Sequence, residues 1–351
     1  MKKKRILFIY IGESTFVSKD ISILKSSFDV LPFNFGFGAK WKVVFRFIRQ
    51  FFFLIGNLPS ASMVIVQLGG FHSLLPVLIA KLFGKPSLII AAGTDCHSLP
   101  SIGYGNFQKK FLGLFTKWSF RNCTHIAPKD DSLWFSEYHY STEDPQQQGI
   151  AAFIPGLKKP YSVIPNGYDA DRFSRITEKK PGTFITVAGG LDFRFQKQLK
   201  GIDLVIEMVS EFPDCRFTIV GVPENSNWNI HAPNIRLLPP ANQKELISLL
   251  SESQYYFQLS MAEGFPNALC EAMLCECIPV GSSVFSIPKI IGENGYILQH
   301  RNRDELKSIL NQAIKNSSSE MGVRARKSIA DRFQIQSRSE KLLALVNKMT
   351  A

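Results

Sequence analysis

Short apolar runs alternate with longer segments whose apolar residues recur at helical spacing. In the first half, residues 5–10, 63–67, 86–91 and 124–127 are nearly continuous apolar runs, the pattern of strands buried on both faces. Between them, residues 19–28, 40–55, 73–83 and 106–121 carry the period of amphipathic helices. Residues 161–165 read as one more strand, ending at Asn166 and Gly167. The rhythm then restarts with a strand at 183–188, a Gly189–Gly190 turn and a helix at 202–212. Strands at 216–220, 235–238, 255–259 and 278–281 follow, with helices at 243–251 and 266–274, and residues 303–348 read as successive helices. A βαβ rhythm run twice predicts an α/β protein of two Rossmann-like doubly wound lobes facing a cleft, residues 1–165 and 166–335. Ligands of such sheets bind outside the carboxyl ends of the strands.

Composition narrows the class. The 351 residues are 45% hydrophobic and 20% charged, which excludes wholesale disorder, and the length suits two domains. Nowhere does an uncharged apolar stretch reach the roughly eighteen residues needed to span a bilayer. Met1 to Arg5 resembles the basic end of a signal peptide, but the apolar run behind it is too short and leads to Gly12 and Glu13, so it reads as a first buried strand. The six cysteines form no C-x-x-C pair and no cluster with histidine. Zinc and disulfide frameworks are therefore not expected, and a reducing cytosol fits. Net charge is +12 and lies mostly in the first half, where 19 Lys/Arg face 9 Asp/Glu. That half is suited to an anionic surface, with lipid or nucleic acid as candidates.

The candidate chemistry sits after the strand that ends near Ser260. Glu263 and Gly264 turn the chain, Phe265 follows, and Pro266 suits the first position of a helix, where its missing N–H costs nothing. The free amides near Asn267, Ala268 and Leu269 then form an anion site at a helix N-terminus. Glu271 lies just over a turn further on, so two carboxylates bracket a phosphate-ready site. A carboxylate can accept from both hydroxyls of a ribose or hexose, which suits a nucleotide-sugar. Asp169 and Asp171 form a D-x-D pair, but Asp169 is placed to cap the following segment, and no metal site is expected.

Glu263 and Glu271 resemble the E-x7-E motif of family-4 retaining glycosyltransferases with the GT-B fold. Val163, Pro165, Asn166, Gly167, Asp169 and Phe173 are similar to that family's inter-domain V-x-P-N-G-x-D-x-x-x-F segment. Residues 187–191 with Lys200, Gly201 and Asp203 look like its phosphate-binding G-R-L…K-G segment, and residues 262–273, 279–281 and 291–295 follow its donor lobe in order. The resemblance covers most of residues 160–300 and is weaker before them. It implies that Glu271 binds the donor ribose, that Glu263 sits near the transferred sugar, and that Lys200 neutralises the departing diphosphate. Gly190 stands where the family has arginine, and Arg194 is the expected substitute. On the acceptor side, Asp95 and His97 are candidates for orienting acceptor or sugar, with Ala92 where the family often has histidine; Gly12 belongs to the loop that approaches the acceptor. Residues 336–351 are expected to form a helix crossing back to the first lobe.

Two basic, aromatic segments mark the first lobe. Lys42, Arg46 and Arg49 line one stripe of a helical pattern and Trp41, Phe45, Ile48 and Phe52 another; Lys110, Lys117 and Arg121 flank Phe111, Phe115 and Trp118. Either these are core helices with a wet basic face, or they dock on an anionic membrane. The expected function is transfer of a sugar from a nucleotide-diphosphate sugar, with no cofactor and no metal, to a lipid-linked saccharide, glycolipid or surface polysaccharide such as lipopolysaccharide, at the inner face of the cytoplasmic membrane. A sugar-nucleotide epimerase of the same shape is the alternative. A nucleic-acid-binding protein fits the charge, but not aromatics at helical spacing or the paired glutamates.

Overall fold

The computed structural model describes residues 3–38, 40–189, 191, 194–224, 228, 230, 232–316 and 318–351, without the side chains of Lys40 and Arg194. The first sheet contains β1 (Arg5–Tyr10), β2 (Asp29–Asn34), β3 (Met63–Gln67), β4 (Ser87–Ala91) and β5 (His125–Pro128) in the order β2-β1-β3-β4-β5, every pair parallel. Its helices are α1 (Thr15–Ser27), α2 (Val43–Asn57), α3 (Phe71–Leu82) and α4 (Lys110–Asn122). A small ribbon of β6 (Ser136–Glu137) and β7 (Gln147–Gln148) and the short α5 (Ile150–Phe153) follow.

The second sheet contains β8 (Lys180–Val187), β9 (Arg216–Val220), β10 (Ile235–Leu238), β11 (Ser253–Gln258), β12 (Ile278–Ser282) and β13 (Tyr296–Leu298) in the order β10-β9-β8-β11-β12-β13, again all parallel. Helices α6 (Arg194–Leu199), α7 (Ile202–Val209), α8 (Gln243–Glu252), α9 (Asn267–Leu274) and α10 (Ile287–Ile291) connect these strands. The chain ends with α11 (Arg303–Asn316), α12 (Ser319–Arg332) and α13 (Ile335–Thr350). Strand order reverses beside β8 and β11, which opens a crevice at their carboxyl ends.

The alternation of each strand builds a core on both faces of the first sheet. Leu7, Ile9, Val64, Val66 and Ile89 pack with Leu54, Val77 and Phe120 under α2, α3 and α4. Ile6, Phe8, Ile65, Leu88 and Ile90 pack on the other face with Val17 and Leu24 of α1 and Leu342, Leu345 and Val346 of α13. The chain's last helix is thus part of the first sheet's core. Arg338 fixes it there: fully enclosed, it donates to both carboxylate oxygens of Asp20 at 2.8 Å and to the carbonyls of Ile164 and Pro165.

Several short elements, β6, β7, β13, α5 and α10, were not read from the sequence, and two further differences have a visible cause. β2 escaped the sequence pattern because Pro32 interrupts it; the strand lies at the sheet edge, where a missing N–H costs no ladder bond. Residues 161–165 are extended along β5 but form one bridge, Tyr161 to Ile126, instead of a full strand, with prolines at 160 and 165 bounding the segment.

Candidate active site

A cavity of about 390 Å³ lies between the lobes at the carboxyl ends of both sheets. Phe16, Leu68, Ala92, Thr94, Tyr104 and Lys129 line it from the first lobe. Val187, Gly189, Lys200, Gln258 and residues 263–268 line it from the second.

Lys200 and Glu263 meet here, with Nζ 2.6 Å from Oε1. Both are brought in by tight turns. Lys200 closes α6, and Gly201 follows at φ +67°, where a Cβ would lie 2.2 Å from the Leu259 carbonyl oxygen, so only glycine lets the chain pass there. Glu263 leaves β11 through Leu259 and Ser260, and its Oε1 also accepts from Ser260 Oγ at 3.0 Å and Gln258 Nε2 at 3.1 Å. Three donors on one oxygen fix the carboxylate. Among the described residues its other oxygen has no partner, which leaves it available to a sugar hydroxyl.

The helix at the second sheet's crevice begins at Asn267; Pro266 is its N-cap instead of its first residue. Asn267 Oδ1 accepts from Asn166 Nδ2 at 2.9 Å and from the Tyr168 hydroxyl at 2.7 Å. The inter-lobe segment read from sequence therefore aims the amide end of α9. Gly167 between them has no room for a side chain: a Cβ would lie 2.7 Å from Ile335 Cα at the start of α13. Gly264, Phe265, Pro266, Asn267 and Ala268 face the cavity, whereas Leu269 is buried in the core.

Glu271 is one turn into α9 and does not line the cavity. Burial pushes its carboxyl up to about 7, against the pull of the positive charges of Lys19 and Arg172. Lys19 comes from α1 and its ammonium lies over the Tyr168 ring, 5.4 Å from the centroid. Gly190 lies outside the described residues, as does the side chain of Arg194, whose backbone opens α6.

The first-lobe candidates are placed differently. Asp95 is fully enclosed; its carboxylate accepts the amides of Gly69 at 2.9 Å and of Ala92 and Gly93 at 3.1 Å, which fixes the loop after β4. His97 is also enclosed and stacks on Phe285 of the second lobe, ring centroids 3.9 Å apart. Burial drives its pKa down to about 3, which keeps the ring neutral. Neither residue lines the cavity. Gly12, at φ +73°, donates to Asn34 Oδ1 at 3.2 Å beneath the Phe37 ring, likewise outside the cavity lining. Asp169 Oδ1 accepts the Asp171 amide at 3.1 Å, a local turn.

The lobes touch backbone to backbone. A Cβ on Gly264 would lie 1.7 Å from the Ala92 carbonyl oxygen. Phe285, at φ +50°, joins the lobes by stacking on His97 and Tyr138. Lys289 bridges to Asp130 at 3.0 Å and Asp131 at 3.4 Å.

Residues 170–330 match the family model described as glycosyl transferases group 1. N-acetyl-alpha-D-glucosaminyl L-malate synthase of Bacillus anthracis is 30% identical over 290 residues, covering 78% of this chain and 70% of that protein. The chain belongs to the group 1 glycosyl transferases. A phosphatidylinositol N-acetylglucosaminyltransferase subunit of Homo sapiens is 29% identical over 150 residues, 39% of this chain, and the match spans only 30% of that longer protein. Among solved structures, Anabaena HepE in complex with UDP-glucose superposes with a TM-score of 0.71 at 12% identity, covering 98% of this chain and 99% of that one. This group 1 transferase therefore has the GT-B fold.

The sequence reading passed over four residues at this site: Lys19, Asn166 as the holder of Asn267, Phe285 and Lys129. Lys19 and Phe285 carry no local signal, because their partners lie in the other lobe, and Asn166 stood in the inter-lobe motif with nothing in the sequence to show that it meets Asn267. Lys129 follows directly on β5, and its position after a strand of the first sheet was the available clue.

Proposed function

We propose that the protein is a retaining glycosyltransferase of the family-4 type, taking a nucleotide-diphosphate sugar as donor and a lipid-linked saccharide, glycolipid or surface-polysaccharide precursor as acceptor at the inner face of the cytoplasmic membrane. The observation that carries this reading is the contact of Lys200 with Glu263 beside the amide end of α9, inside a cavity shared by both lobes. A diphosphate in that cavity would meet a cation and free amides, and the sugar attached to it would meet a fixed carboxylate.

In this reading an acceptor hydroxyl attacks the anomeric carbon on the face from which the diphosphate leaves. The carbon–oxygen bond to phosphate breaks, the new glycosidic bond forms, and the hydroxyl proton passes to the departing diphosphate. Negative charge grows on that leaving group, so Lys200 and the α9 amides stabilise the transition state more than the bound substrate. Their charge serves without a metal ion. Glu271 would take the ribose hydroxyls from further down the helix.

The membrane side of the proposal is supported by α2, α3 and α4, whose outward face is apolar. Phe45 is 65% exposed, Phe52 67%, Leu82 82% and Phe111 71%, with Trp41, Ile48, Leu78 and Trp118 also exposed. Residues 40–122 contain ten Lys/Arg and a single acid, the enclosed Asp95. An exposed apolar face of this kind marks an interaction surface, and its basic surroundings favour an anionic membrane.

Thermal-shift screening of nucleotide-sugars tests the donor assignment. Two of the relatives are named for N-acetylglucosaminyl groups, so the N-acetylglucosaminyl nucleotide goes first. A donor at one hundred times its dissociation constant adds about 2.7 kcal/mol of stability. Lys200→Ala is expected to lose roughly two to three orders of magnitude in turnover, as for loss of one oxyanion donor. No stabilisation by any nucleotide-sugar, or a loss under about tenfold in turnover, counts against the assignment.

A further inference from the structure

Lys129 is the one cationic side chain that the first lobe contributes to the cavity lining among the described residues. It directly follows β5, and its backbone amide is tied to the Ala91 carbonyl at 3.1 Å. Only 3% of the residue is exposed. Its ammonium lies 3.8 Å from the centroid of the Phe16 ring. Among the described residues Nζ has no hydrogen bond and no carboxylate within 4 Å. Asp20 from α1 is committed to Arg338 of α13, and Asp95 to three backbone amides. Lys19 and Arg338 add further positive charge around it.

An enclosed ammonium held only by an aromatic face is costly, because a ring recovers a small part of the hydration that burial removes. Burial lowers its pKa to about 7, with Arg338 and Lys19 pushing the same way and Asp20 and Asp95 opposing. Replacing Lys129 with an apolar residue would make the fold easier to stabilise. A lysine kept at such a cost and opening on a substrate cavity is placed to meet an anion that arrives with a ligand. Lys200 and the α9 amides already stand on the donor lobe; Lys129 lines the cavity from the first lobe, as do Thr94 and Tyr104, whose hydroxyls are 2.9 Å apart.

We propose that Lys129 binds an anionic group of the acceptor, a phosphate or carboxylate near the hydroxyl that is glycosylated, with Thr94 and Tyr104 as hydrogen-bonding neighbours. This rests on the transferase reading for the word acceptor; the anion site itself does not. An arriving anion would raise the Lys129 pKa, so binding above neutral pH takes up a proton.

The test uses the full chain saturated with the nucleotide found by the donor screen, so that the diphosphate site is filled. Inorganic phosphate and malonate are the probes, followed by calorimetry at pH 8 in two buffers of different ionisation enthalpy. The wild type is expected to bind one of the probes with proton uptake. Lys129→Met should weaken that binding at least tenfold and abolish the uptake, Lys129→Arg should restore much of it, and nucleotide affinity should change less than threefold. Equal probe binding by Lys129→Met, or no binding by the wild type, overturns the site. An equal loss of nucleotide affinity in Lys129→Met assigns the lysine to the donor diphosphate and overturns the acceptor role. If no nucleotide binds, the transferase reading fails, and the same comparison on the free protein still decides the anion site.

Discussion

The carboxyl of Glu271 combines two properties that pull against each other. Its place one turn into α9 suits hydrogen bonds from ribose hydroxyls, which favour the ionised form. Its burial favours the protonated form and pushes its carboxyl up to about 7, against the opposing pull of Lys19 and Arg172. Below that pH the group is protonated and accepts poorly, so donor binding in the proposed mode, with Glu271 on the ribose, must first expel a proton. Affinity for a nucleotide-sugar, whose diphosphate does not itself titrate near neutrality, is therefore expected to rise from pH 6 to pH 8 and then level off. Glu271→Gln should bind more weakly and lose this rise, because the amide has no proton to release. A wild-type affinity independent of pH would show that the ribose is held elsewhere. Glu263 is held in place by polar partners: Lys200, Gln258 and Ser260 converge on one oxygen.

At the scale of elements, much of the βαβ order was legible from apolar runs and helical periods, because parallel strands buried on both faces carry a strong signal. Two of the differences have local causes. Pro32 masked an edge strand, and the prolines around residues 161–164 left an extended segment with a single bridge. What periodicity could not supply was the fit between elements. Gly264 reads from sequence as a turn, yet its hydrogen is what lets the donor loop lie on the Ala92 carbonyl of the first lobe. Gly264→Ala would force the two backbones apart by more than an ångström. A misplacement of that size costs on the order of a hundredfold in rate. The variant is expected to keep its circular dichroism, lose turnover by about that factor, and show a larger radius of gyration in solution scattering. Unchanged turnover would mean that this contact does not belong to the working conformation.

For the whole molecule, the asymmetry of charge becomes an asymmetry of surface. Two of the six cations expected to face the membrane are engaged elsewhere: Arg49 donates to the Asn34 and Phe35 carbonyls and lies over the Phe33 ring, and Arg46 donates to the Gly36 carbonyl. They hold the loop after β2 against α2. Lys42, Lys110, Lys117 and Arg121 remain beside the exposed aromatics, and each cation near an anionic leaflet contributes about 1 kcal/mol. The protein should sediment with phosphatidylglycerol vesicles at low salt and partly dissociate at high salt. Replacing Phe45, Phe52 and Trp118 together with serine should abolish sedimentation while the fold persists, because these side chains pack little of the core. Absence of binding by the unaltered protein at low salt ends the membrane assignment.

The chain's own order of residues determined the alternation of strands and helices, the two-lobed plan, the glutamate pair around a helix start and the basic, aromatic character of the first lobe. These follow from local spacing, which a linear pattern records. The tertiary structure decided which faces are wet, so that Phe45 and Phe52 point outward while Asp95 and His97 are enclosed. It also joined Asp20 to Arg338 across 318 positions and Asn166 to Asn267 across 101. Such contacts depend on how helices and loops far apart in the chain pack together over the sheets, and no neighbouring residue in sequence bears a trace of that packing.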